Sequence, residues 1–152
     1  MKLVDFIHPK TIWVKAKFNQ QGHLFEMVAQ KCHSLGLVTE NFLPGIIERE
    51  KNFPTGLKLD GYAVAIPHTE PEHVNEEFIA VVTSEDGVPF KLMDDANEEV
   101  QVNVIFMLGL NSPHNQLSAL QQLIAVIQDK DNVNSILQAD THEEITQILA
   151  AI

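Results

Sequence analysis

The nine residues Val100 to Leu108, VQVNVIFML, constrain this chain most: they are dense in β-branched and large apolar side chains and too short for a comfortable helix. They read as a strand, as does Phe78 to Thr83, FIAVVT. A third, compact apolar run, Tyr62 to Ile66 (YAVAI), is closed by Pro67 and His68 and reads as a buried strand that delivers a histidine at its end. Ile12 to Ala16 (IWVKA) alternates and is expected to form a short strand, and VPFK after Gly87 a short edge strand.

Helical patterns alternate with these runs. Asn19 is placed to cap a first helix with Leu24, Met27, Val28, Lys31 and Leu35 on one face and Gly36 at its end. Thr39 is the expected cap of a second, with Phe42, Ile46 and Ile47 facing inward, Pro44 in its first turns and a stop near Phe53-Pro54. Gln116 to Gln128 carries Leu117, Leu120, Leu123, Ile124 and Ile127 at helical spacing. Thr141 to Glu144 has the capping-box pattern ahead of Ile145, Ile148 and Leu149. Interleaved strands and helices predict an α/β fold with a sheet covered on both faces, and 152 residues without a repeat or linker predict one domain.

Charge narrows the function. Ten Lys and Arg against 21 Asp and Glu give −11, which repels nucleic-acid backbones and anionic lipid and favours basic protein partners. No apolar run approaches the roughly 20 residues of a membrane span, and MKLVDFIHPK lacks the pattern of a signal peptide, so the chain reads as a cytoplasmic protein with no direct membrane insertion. The single cysteine, Cys32, falls among apolar helix positions and reads as a buried small hydrophobe; Trp13 reads as core.

Among polar residues His68 stands out by context. One ring nitrogen held by a hydrogen bond leaves the other free as a nucleophile, which suits acceptance and donation of a phosphoryl group. Spacing alone favours a capping or surface histidine. Arg49, the only arginine, precedes Thr55-Gly56; its planar fork suits phosphate oxygens, and a solvated residue at a helix end fits equally well. Glu70, Glu72, Glu76 and Glu77 read as a solvated acidic rim, as do Asp94, Asp95, Glu98 and Glu99. His73, five residues after His68, has the wrong spacing for a helical zinc site, so no metal is expected, although a metal-dependent hydrolase using His68, His73 and Glu72 is a formal third reading. His8, His23, His33 and His142 read as surface residues.

Arg49-Glu50, Phe53-Pro54-Thr55-Gly56-Leu57 and Ala63-Val64-Ala65-Ile66-Pro67-His68 together resemble the fructose/mannitol-type enzyme IIA of the bacterial phosphoenolpyruvate-dependent sugar phosphotransferase system. The resemblance runs from about Asn19 to the C-terminus, and REKNFPTG is most similar to the galactitol branch. It implies that His68 is phosphorylated, that Arg49 lies near it, and that the fold is a mixed sheet with helices on both faces. Thr55 and Gly56 are then expected to supply a hydroxyl or N–H to the phosphate, with no cofactor. The implied donor is HPr, the implied acceptor a cysteine of enzyme IIB, and membrane enzyme IIC is served indirectly. Where many relatives carry a second histidine this chain has Gln116-Leu117, as the galactitol branch does; His114, two residues earlier, is the other candidate to assist His68. The alternative role is a regulatory module whose phosphorylation state controls another protein.

Overall fold

The computed structural model describes residues 1–152. Five strands, β1 (Ile7–Trp13), β2 (Gly56–Lys58), β3 (Ala63–Ala65), β4 (Phe78–Lys91) and β5 (Glu99–Gly109), form one sheet in the order β1-β4-β5-β3-β2. β1 and β4 run parallel, as do β3 and β5; β4 with β5, and β2 with β3, are antiparallel. The sheet is mixed, as the resemblance implies.

Alternation splits the core into two layers. Phe78, Ala80 and Val82 of β4 pack with the buried residues of α1 (Gln21–Ser34) and α2 (Phe42–Asn52), while Ile79 and Val81 face α3 (Pro113–Gln128), α4 (Lys130–Gln138) and α5 (His142–Ala150). β3 is apolar throughout because it is buried on both faces: Ala63 and Ala65 enter the first layer, Val64 the second.

Several expectations are corrected. β1 begins earlier than the IWVKA segment and ends at Trp13, because Lys15 turns left-handed (φ 52°) with its N–H donating to the Thr83 hydroxyl. VPFK is the second half of β4, beyond a bulge between Thr83 and Val88, and pairs with β5. Gly56–Lys58, which carries no strand signal of its own, is a strand paired to β3. In α1 the buried face is Leu24, Phe25, Val28, Ala29 and Cys32, so Lys31 is exposed. Its N-cap is Gln20 rather than Asn19, but Gly36 (φ 76°) ends it as expected: Gly36 N–H donates to His33 O and Leu37 N–H to Cys32 O, a Schellman pair. α2 starts after Asn41, with the Thr39 hydroxyl accepting from Asn41 N–H just outside the helix, and Ile47 faces outward. α3 begins at Pro113, capped by Ser112, and α4 is a separate helix that apolar spacing left unmarked. The Thr141 cap accepts from Glu144 N–H, and Ile145 and Leu149 are buried. No helix is long and apolar enough to cross a membrane.

Candidate functional site

β3 aims the site. After Ala65 the chain continues through Ile66 and Pro67, whose carbonyl accepts from Leu108 N–H at 2.9 Å, so the end of β3 is tied to β5 at the point where His68 emerges. His68 Nδ1 lies 3.0 Å from the Ile66 carbonyl oxygen. A carbonyl only accepts, so the contact holds the proton on Nδ1 and leaves the Nε2 lone pair free.

His68 lines a surface hollow of about 340 Å³ together with Arg49, Thr69, Glu70, Gln116 and Leu117. Arg49 comes from the last turn of α2, where its side chain stacks over Phe53 with the guanidinium 5.0 Å from the ring centroid. Its Nη1 is 3.7 Å from Glu70 Oε1, and its Nε is buried without a hydrogen-bond partner. Gln116 and Leu117 come from the first turns of α3; Leu117 is 59 % exposed and Phe53 63 %. The fold therefore gathers Arg49, His68 and Gln116 from three distant stretches of chain. His114 is exposed at the second position of α3 and does not line the hollow.

Thr55 and Gly56 are a correction. Thr55 is buried, and both its N–H and its hydroxyl donate to the Glu50 carboxylate at 2.7 Å. Its donors are spent on α2, and Gly56 pairs with Ala65 inside the sheet, so neither residue lines the hollow. Burial pushes the Glu50 carboxyl up to about 7, against the opposing effect of the two Thr55 bonds.

Of the four acids that follow His68 and were expected as a solvated rim, Glu70 and Glu77 have specific partners. Glu70 accepts a 2.7 Å bond from the Thr69 hydroxyl, and this bond, its own backbone N–H and the charges of Arg49 and His73 hold its carboxyl below the usual range. Glu77 accepts from Asn111 N–H and Ser112 N–H and, at 2.7 Å, from the Asn115 amide, placing an anion at the start of α3. Nothing local in sequence marks Glu77, since its partners lie 34 to 38 residues away; Glu70, two residues from His68, was within reach of a local reading. His73 packs against Gly45 of α2, where a Cβ would fall 2.9 Å from its ring, and neither His73 nor Glu72 lines the hollow.

Fold and site together define an α/β domain, a mixed sheet with helices on both faces, whose candidate chemistry lies in a surface hollow at the end of β3. The chain matches the family described as phosphoenolpyruvate-dependent sugar phosphotransferase system, EIIA 2, over residues 5–152, and it belongs to that family. It is 29% identical over 120 residues to the galactitol-specific EIIA component of Escherichia coli strain K12, covering 79% of each chain. It is also 29% identical over 143 residues to the mannitol-specific enzyme IIA component of Enterococcus faecalis, covering 92% of this chain and 94% of that one. Its fold matches that in the complex of enzyme IIA-mannitol and phosphorylated enzyme IIB-mannitol from Escherichia coli, with a TM-score of 0.77, 18% identity, and coverage of 96% of this chain and 98% of that one.

Proposed function

We propose that this protein carries phosphoryl groups on Nε2 of His68, receiving them from the phosphohistidine of HPr and passing them to a cysteine of a cognate enzyme IIB, for uptake of galactitol or a related polyol. The observation that supports this most is the 3.0 Å contact between His68 Nδ1 and the Ile66 carbonyl, which fixes one tautomer and leaves one nucleophilic nitrogen in the hollow beside Arg49.

The same lone pair serves both half-reactions. On loading, it forms the new N–P bond as the donor's N–P bond breaks and that electron pair returns to the donor ring. On unloading, the acceptor thiolate forms the S–P bond and the pair returns to Nε2. Nδ1 keeps its proton against Ile66 throughout, so the ring changes neither tautomer nor orientation. Phosphoryl transfer through a loose transition state needs alignment and stabilisation of the equatorial oxygens more than covalent help, and Arg49 is the group available for that.

The surroundings fit two successive protein partners. Phe53 and Leu117 are exposed apolar contacts beside Arg49 and His68, while the net charge of −11 steers a basic surface toward the site and makes association salt-sensitive. Galactitol is favoured over mannitol by the REKNFPTG segment and the Gln116-Leu117 pair.

Incubation with enzyme I, HPr and phosphoenolpyruvate is expected to yield one acid-labile, base-stable phosphate, lost in His68→Ala. Undiminished labelling of that variant overturns the assignment. A chase to the cysteine of a galactitol-type enzyme IIB separates transport from the regulatory alternative.

A further inference from the structure

Arg49 is loosely anchored in this site, whereas Glu70 is firmly anchored. The guanidinium has a 3.7 Å approach to Glu70 Oε1, longer than a hydrogen bond, a stacking contact with Phe53, and a buried Nε with no partner. Glu70 Oε2 instead accepts a 2.7 Å bond from the hydroxyl of Thr69, itself buried. Thr69 is pinned in turn by α2: a Cβ on Gly45 would fall 2.6 Å from its Oγ1, so loop and helix touch where only glycine fits. Gly45 and Arg49 stand one helical turn apart on α2. The same contact that seats the loop therefore sets Glu70 opposite Arg49, two residues beyond His68.

The geometry points to Glu70 as a resident counter-anion that holds Arg49 while the hollow is empty and competes with the phosphoryl group for that guanidinium once His68 is loaded. The inference rests on the reading of His68 as phosphoryl acceptor. A phosphoryl group brings a charge of about −1.5 to −2. Arg49 is the only cationic side chain lining the hollow, so two anions must share one guanidinium. Each weakens the other's hold. The carboxylate is ionised at neutral pH because the Thr69 bond favours its charged form. A loose contact suits a partner that is exchanged on every cycle, as a close bidentate pair would not.

Glu70 takes part in no bond change: the N–P bond forms from the Nε2 lone pair and breaks by returning it, as above. Glu70 is a positioning residue whose charge sets how readily His68 gives its cargo away. A carrier that held the group too well would be a sink.

The test equilibrates the full chain with phosphorylated HPr and measures the phosphoryl group on each protein by ³¹P NMR. Glu70→Gln, which keeps the shape and loses the charge, is expected to shift the partition toward this chain by about tenfold, the effect of one like charge a few ångströms away in a half-buried site. Glu70→Asp, which keeps the charge, is expected to stay within about threefold of wild type. An unshifted partition in Glu70→Gln, or equal shifts in both variants, overturns the inference. Failure of the wild type to take up label, or labelling of His68→Ala, overturns the underlying reading instead.

Discussion

Glu50 and Thr55 close a clasp of two bonds: the Thr55 N–H ends on one carboxylate oxygen and the Thr55 hydroxyl on the other, both at 2.7 Å. The clasp ties the last turn of α2, which carries Arg49, to the start of β2. Glu50 is only 5 % exposed, so an ionisable group is buried against two donors and no cation.

That arrangement makes stability depend on pH. Burial raises the Glu50 carboxyl to about 7 from an ordinary 4.5, so the folded protein retains a proton that the unfolded chain has released. The contribution is complete below about pH 4.5 and is lost as pH rises through about 7, amounting to roughly 3 kcal/mol. In urea unfolding, wild type is expected to lose about 2 to 3 kcal/mol relative to Glu50→Gln between about pH 5 and about pH 8. Parallel pH profiles for the two proteins contradict this.

Arg49→Lys keeps a positive charge but removes the planar fork and the stack on Phe53. The rate of labelling from phosphorylated HPr is expected to fall by two to three decades, equivalent to about 2.7–4 kcal/mol in the barrier, with little change in thermal stability. Rapid-quench labelling measures it.

Gly45→Ala should separate folding from function. Alanine gains about 1 kcal/mol of helix propensity, while its Cβ meets Thr69 Oγ1 and the His73 ring at 2.6 and 2.9 Å. The gain offsets much of the clash, so the midpoint of thermal unfolding is expected to move by only a few degrees. The loop carrying His68 must shift, and labelling is expected to slow by at least tenfold.

Glu77→Ala removes three hydrogen bonds and an anion from the start of α3. Loss of about 1 to 3 kcal/mol in urea unfolding is expected, with a smaller loss in Glu77→Gln, which keeps an acceptor but not the charge.

Cys32 is fully buried in α1, and burial pushes its thiol up to about 12. A thiol reagent at about pH 8 is expected to leave the folded protein unmodified and to label one thiol per chain in denaturant. Labelling of the native protein at the rate of the unfolded chain contradicts this.

Where the sequence was legible, neighbours settled the matter. The apolar run ending in Pro67-His68 reads as a buried strand because β3 is covered on both faces, and Gly36 reads as a helix end because a left-handed residue there suits glycine. Two readings erred: Ile47, directly after Ile46 and five residues after Phe42, is turned off their face by the helix itself and lies 45 % exposed, and VPFK reads as separate because a bulge interrupts β4.

His68 and Arg49 were marked by the chain itself, through a strand terminus and a unique arginine, and Gln116 through the family resemblance. Their meeting in one hollow, the diversion of Thr55 to Glu50, and the partners of Glu70 and Glu77 were decided by the tertiary structure. The division is physical. Propensity, burial period and turn chemistry act over a few residues, whereas a carboxylate's partner depends on which donors the packed sheet and helices bring within 3 to 4 Å.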